Sequence, residues 1–231
     1  MYPKRFSFIM SNMPFKSSDR RTIWTAIRES LEAYGIGQDR LSPVWGDIAF
    51  SFEAIFAFTP ILIDQCFHPL ALEIMRQDIR HRSSGYGNRI SLFREGSSRR
   101  NLTNIDQIQP ILERNGFGFP NLSTTPFIDQ AAAFREATIV VSILGSVVSI
   151  LGSSLTGLIY APEGVKVLSI APPFFSDRFF HSLVQERKGE FIDLRGEVVS
   201  VAANPGKDDD FAVDPYLFEQ YLEHALKHGT P

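Results

Sequence analysis

Cysteine is almost absent from this sequence, and its positive and negative charges nearly balance. The one cysteine, Cys66, excludes an internal disulfide framework and suits a reducing, cytoplasmic compartment. A net charge of −3 gives no global basic field, which argues against a nucleic-acid partner. The five histidines are scattered without metal-ligand spacing. We therefore predict a cytoplasmic protein without a nucleic-acid partner, and the histidines give no indication of a metal site.

Charged residues are missing altogether from residues 138–162, and within that run VVSILGS occurs twice in succession at 140–153. By length the run could cross a bilayer, since about 20 apolar residues suffice. Its serines and glycines, and the lack of a Lys/Arg cluster or aromatic belt at its ends, favour a buried strand, a turn and a short helix of a soluble domain. No transmembrane segment or signal peptide is predicted, and peripheral membrane contact stays open.

Apolar strand-like segments alternate with helix-like segments along the rest of the chain. This alternation predicts an α/β fold with a Rossmann-type parallel sheet and helices on both faces. A helix over 68–82 should turn Leu70 and Ile74 inward, and the SSGYGN stretch at 83–88 marks a domain boundary. The strands are predicted at 89–93, 138–144, 165–171 and 190–196, and the helices at 104–117, 125–137 and 214–228.

Two loops beyond predicted strand ends carry candidate ligand-binding groups. Arg94, Arg99 and Arg100 follow the first strand, and three guanidiniums on one loop suit a phosphate or diphosphate, although a solvated basic loop remains the alternative. The Gly/Ser turn at 152–157 precedes a helix and offers backbone N–H groups to an anion. The acidic run at 207–211 is interpreted as solvated surface rather than a metal-binding motif.

Three segments together resemble glycosyltransferase family 61: ISLFREGSSRRNLTN (90–104), NGFGFPNLSTTPFIDQAAAFREATIVV (115–141) and LGSSLTGLIYAPEGVKVLSIAPP (151–173). The resemblance covers most of residues 68–228. It implies a GT-B-like architecture of two Rossmann-like domains, and metal-independent transfer of a sugar from a nucleotide-sugar donor to a glycan or glycolipid acceptor, with no cofactor. It also implies a set of donor-binding residues, in which the arginines clamp the diphosphate and an Asn and a Gln support them: Arg94, Arg99, Arg100, Asn104, Gln130, Gly152, Ser153, Ser154 and Thr156.

The sequence also departs from the family pattern. Leu151 stands where the family has His, and Gly157 stands where it has Asn. A His-Trp…Glu segment is missing, so residues 1–82 are predicted to be an incomplete acceptor-side domain, and 83–231 the nucleotide-sugar-binding domain. No catalytic residue is assigned. Two functions therefore stay open: an active glycosyltransferase, or a degenerate, non-catalytic or truncated homologue that keeps the fold and the nucleotide site.

Removing one copy of the repeat restores the spacing of the family pattern. We therefore expect the chain lacking residues 147–153 to fold, because the joined sequence still supplies a strand followed by a loop and helix. Thermal melting of both chains tests this, and an equal or higher midpoint confirms that one copy is redundant. If the second copy is packed core, losing its aliphatic side chains costs several kcal/mol, on the order of 2–5 for each large one, and abolishes the cooperative transition.

Overall fold

The computed structural model describes residues 8–10, 25, 28–43, 62–63, 66–67, 69–77, 83–93, 100–144, 154–175, 179–201, 205 and 208–227. Its N-terminal part consists of short elements. Residues 28–33 are helical and a 3₁₀ helix follows at Gln38–Arg40. The remaining elements of this part are a parallel pair, β1 (Phe8–Met10) with β2 (Leu41–Pro43), an antiparallel pair, β3 (Leu62–Ile63) with β4 (Cys66–Phe67), and helix α1 (Pro69–Gln77).

A four-stranded parallel sheet forms the centre of the molecule. Its order is β5 (Arg89–Leu92), β6 (Ile139–Ile143), β7 (Lys166–Ala171) and β8 (Glu190–Arg195). Every residue of β6 and β7 is buried, which is why neither strand alternates between apolar and polar side chains. The predicted α/β fold with a parallel sheet flanked by helices is confirmed.

Helices cover both faces of this sheet because successive side chains of a strand point to opposite sides. Val140 and Val167 face one core, and Val141 and Leu168 face the other. The first core is closed by α3 (Phe127–Glu136), the 3₁₀ helix Ser154–Tyr160 and α4 (Phe179–Glu186). The second is closed by α2 (Ile105–Arg114) and α5 (Pro215–Lys227).

An antiparallel pair that the sequence did not predict lies beside the sheet. Strand β9 (Glu197–Ser200) follows β8 after Gly196 and pairs with β10 (Asp210–Ala212). β10 in turn forms a parallel bridge from Phe211 to Leu102. This bridge joins the segment after β5 to the segment before α5.

The uncharged run folds as expected in its described parts. It contains β6 and the 3₁₀ helix Ser154–Tyr160, and the intervening residues 145–153 lie outside the described residues. Leu155, Leu158 and Tyr160 of the 3₁₀ helix are buried against the first core. Among helices in the described ranges, none has the length and apolar composition that crossing a bilayer requires.

The predicted inward face of α1 is wrong. Leu70 and Ile74 are exposed, whereas Leu72 is buried and Met75 packs against the first core. Burial of Leu72 and Met75 against the first core fixes this face. On the same side the Tyr34 hydroxyl donates to the Met75 carbonyl at 2.7 Å and lies 2.8 Å from the Tyr160 hydroxyl. Burial raises the pKa of Tyr160, so this phenol stays protonated.

Residues 83–88, which the sequence marks as a boundary, contact the end of α3. The Ser84 backbone N–H donates to the Glu136 carboxylate at 3.2 Å, and its hydroxyl donates to the same group. The Ser84 hydroxyl is the main reason that the pKa of Glu136 lies below its ordinary value. The division into residues 1–82 and 83–231 stays a prediction.

Gly157, which departs from the family pattern that the sequence resembles, is packed closely against helix α3. A Cβ atom at this position would overlap the ring of Phe134, which is itself buried in α3. The two elements can approach this closely only because position 157 carries no side chain. Phe134 therefore occupies the volume into which an Asn side chain at this position would project.

We expect Gly157→Ala to lower the free energy of unfolding by about 1–3 kcal/mol, because the added methyl overpacks the Phe134 ring. Without that contact the substitution should stabilise, since Ala is the better helix former by about 1 kcal/mol. Urea unfolding of Gly157→Ala, Phe134→Leu and the double variant measures the coupling. The Phe134→Leu background should reduce the cost of Gly157→Ala, and strictly additive costs would contradict the contact.

Candidate functional site

The carboxyl ends of the four parallel strands lie along one edge of the sheet, where open α/β folds bind their ligands. Arg100, from the loop after β5, lies at this edge. Its guanidinium is centred 5.2 Å from the ring of Phe175, which follows β7. Only 7% of Arg100 is exposed, and its φ of +56° is unusual for a residue with a side chain. The described part of the chain thus includes one of the three predicted arginines, and it lies at the ligand edge.

Arg100 is also held by an acidic residue. Its Nη1 donates to Asp208 Oδ1 at 2.8 Å, and its backbone N–H donates to the Asp208 carbonyl at 3.1 Å. Both side chains are largely buried, so the pair is shielded from solvent. Because Asp208 neutralises Arg100, the positive charge of a diphosphate clamp must come largely from other residues.

The interpretation of 207–211 as solvated surface is wrong for its described residues. Asp208 and Asp209 are buried, and Phe211 belongs to the second core. Asp210 Oδ1 accepts the backbone N–H of Asn101 at 2.7 Å and the Asn101 side-chain amide at 2.9 Å. The run is therefore a structural partner of the loop after β5. Three consecutive acidic residues suggested a solvent-exposed segment. Sequence alone did not reveal their burial, because the partners of Asp208 and Asp210 lie about 100 residues away in the chain.

Asn104 and Gln130, predicted as supports, both bind backbone. Asn104 Nδ2 donates to the Val213 carbonyl at 2.8 Å, and its Oδ1 accepts the Val213 N–H at 3.2 Å, which joins the start of α2 to the end of β10. Buried Gln130 donates to the carbonyls of Leu122 and Thr125 at 2.8 and 2.7 Å. Each side chain fixes a loop, and a role toward a donor stays a prediction.

The other predicted donor-binding residues divide into two groups. Ser154 and Thr156 lie in the first turn of the 3₁₀ helix Ser154–Tyr160, and Thr156 is half-buried. Arg94, Arg99, Gly152 and Ser153 lie outside the described residues. Of the predicted anion-binding groups, the structure therefore places Arg100 and the two residues at the start of the Ser154–Tyr160 helix.

A polar row near the same edge was not predicted. Ser142, Ser169 and Asp193 are neighbours in register across β6, β7 and β8, on the face toward the first core. Ser142 Oγ lies 3.5 Å from the Leu92 carbonyl, and Ser169 Oγ is buried without a hydrogen-bond partner among the described residues. The signal was available, because these serines interrupt strands that are otherwise apolar.

Asp193 continues this row to the loop after β7. Its carboxylate accepts from Arg195 Nε at 2.9 Å, and Arg195 Nη1 donates to the carbonyls of Pro172 and Phe175. Arg195 therefore links the ends of two neighbouring strands. Within the described part of the chain, no three His, Cys, Asp or Glu side chains form a group that could hold a metal ion.

These features define an α/β protein whose candidate site lies at the carboxyl ends of its parallel strands. A sequence model of the glycosyltransferase 61 family matches residues 48–168, which is more than half of the chain. The chain belongs to this glycosyltransferase family. The matched region runs from before α1 into β7, and includes Arg100, Asn104 and Gln130. No curated protein matches the sequence.

Asp208→Ala should destabilise the fold by about 3–5 kcal/mol, because it leaves the buried Arg100 guanidinium without its carboxylate. The matched control is Glu223→Ala, which removes the carboxylate from an exposed i,i+4 pair with Lys227. That change should cost only about 0.3–0.5 kcal/mol. Chemical unfolding measures both variants. Equal small costs would show that the Arg100–Asp208 pair is solvated in solution.

Proposed function

We propose that this chain binds a nucleotide-sugar donor at the carboxyl edge of the β5–β8 sheet and transfers the sugar to a glycan or glycolipid acceptor. Membership of the glycosyltransferase 61 family carries the proposal. The location of Arg100 at the carboxyl edge supports it, since Arg100 fixes there the end of the segment that carries Arg94 and Arg99. The GT-B architecture, metal independence without a cofactor and a cytoplasmic location are part of this proposal.

In the proposed reaction an acceptor hydroxyl oxygen forms a bond to the anomeric carbon of the donor. The bond from that carbon to the phosphate oxygen breaks, the nucleoside diphosphate leaves with the electron pair, and the hydroxyl proton passes to a base. Negative charge grows on the leaving phosphate in the transition state. Arginine donors aimed at that oxygen lower the barrier because they stabilise this charge.

Because Arg100 is already paired with Asp208, we assign it a different role from Arg94 and Arg99. Its bonds to Asp208 and its contact with Phe175 make it a fixed support at the edge. Arg94 and Arg99 precede it in sequence, outside the described residues, and carry charges that would contact the diphosphate. The proposed clamp therefore consists of Arg94 and Arg99, with Arg100 as the fixed residue that follows them.

A second function, that of a non-catalytic homologue, is favoured by two observations. Gly157 replaces the Asn of the family pattern, and Phe134 fills the space of that side chain. Arg100 is already neutralised by a buried aspartate. A protein of this kind would keep the fold and the nucleotide site and regulate or scaffold a partner enzyme.

Nucleoside diphosphates should raise the melting temperature of the full chain, because a ligand that binds the native state stabilises it. Hydrolysis of the matching nucleotide-sugar then separates the two functions. Turnover supports the transferase, and stabilisation without turnover supports the non-catalytic homologue. Absence of any shift across the nucleoside diphosphates contradicts the proposed donor site in both.

Arg94→Ala should weaken nucleoside-diphosphate binding by about 1.5–3 kcal/mol, the scale of a charged hydrogen bond. Lys227→Ala is the control, since this exposed cation ends α5 near the amino edge of the sheet, where His224 contacts Glu190. Calorimetric titration compares the two. An Arg94→Ala affinity equal to that of Lys227→Ala would identify the loop as solvated basic surface.

A further inference from the structure

The turn after β7 exposes an aromatic side chain at the ligand edge. Phe174 is 75% exposed, the largest value for a large hydrophobic residue in the described ranges. Its neighbour Phe175 is buried, and Pro172 is buried as well. The turn thus places the ring of Phe174 in solvent and the ring of the following residue, Phe175, in the core.

Several contacts fix the backbone on both sides of Phe174. The Phe175 N–H donates to the Pro172 carbonyl at 3.2 Å, which closes the turn. Arg195 Nη1 donates to the same carbonyl at 3.1 Å and to the carbonyl of Phe175. Consecutive prolines restrict φ before the turn. The exposed ring is therefore presented by a backbone that is already ordered, so that binding to it costs little conformational entropy.

Charged residues on both sides hold this turn in place. Asp193 orients the Arg195 guanidinium from β8, and Arg100 packs over the Phe175 ring from the loop after β5. β7 is an inner strand, so this turn lies over the middle of the carboxyl edge rather than at its end. Phe174 therefore lies at the carboxyl edge of the sheet, the side on which folds of this class bind their ligands.

We propose that Phe174 is a stacking platform for the nucleobase of the donor. This inference rests on the proposed function, and it extends that function from the diphosphate to the base. A phenyl ring has no conventional hydrogen-bonding group, so it cannot read the edge of a base. Any base can nevertheless stack on it, because every base has a π-face. Phe174 would hold the base end of the ligand whose diphosphate the proposed function assigns to the same edge of the sheet.

The test compares nucleoside diphosphate with inorganic pyrophosphate, which lacks a base, on the full chain. Phe174→Ala should weaken the nucleoside diphosphate by roughly tenfold or more and leave pyrophosphate binding unchanged. Phe174→Trp should retain the affinity, and Phe174→Leu should lose it, because Leu keeps apolar area without a π-face. Tyr216→Ala is the matched control, since Tyr216 is 71% exposed on α5.

The melting temperature of each variant should equal that of the parent, because none of the replaced side chains is buried. If the parent binds nucleoside diphosphate and Phe174→Ala binds it equally well, this inference is overturned and the proposed function stands. An equal loss for pyrophosphate also overturns it, because the effect then comes from the shape of the turn. A parent chain that binds pyrophosphate but no nucleoside diphosphate overturns the proposed function and the inference together.

Discussion

The parallel pairing of β6 with β7 is the constraint on which the rest of the molecule depends. Both strands are buried over their whole length, so their backbone N–H and C=O groups have no access to water and must bond to neighbouring strands. The register of this pair places Val140 and Val167 in one core and Val141 and Leu168 in the other. It also sets the level at which the loops leave the carboxyl edge. A shift of one residue would exchange the two cores and move every loop of the candidate site.

The sequence predicted the parts of this fold that depend on local patterns. β6 and β7 are short apolar runs between turn residues, and α3 and α5 begin and end within two residues of their predicted limits. α1 was predicted with the wrong face, because its spacing allowed Leu70 and Ile74 as well as Leu72. The buried face is the one that meets the first core, to which distant parts of the chain such as Tyr34 contribute. The spacing of apolar residues within a nine-residue helix carries no information about those distant partners.

In the candidate site, too, local features could be predicted from the sequence and long-range contacts could not. Arg100 could be placed at the ligand edge because it follows a recognisable strand. Its pairing with Asp208 could not be predicted, since it depends on how the segment before α5 returns to the loop after β5. The same return buries Asp209 and lets Asp210 bind Asn101. Counting the arginines in the sequence therefore overestimates the positive charge available to a ligand at this edge, because Arg100 is already paired with Asp208.

The contact between Gly157 and Phe134 has a consequence for protein engineering. A Cβ atom at position 157 would overlap the Phe134 ring, so position 157 cannot be changed without affecting helix α3. Restoring the Asn of the family pattern by a single substitution would therefore strain the first core, whatever it did at the candidate site. A smaller side chain at position 134 would have to be introduced with it. The two positions form one unit for mutagenesis, although they lie in different elements of the fold.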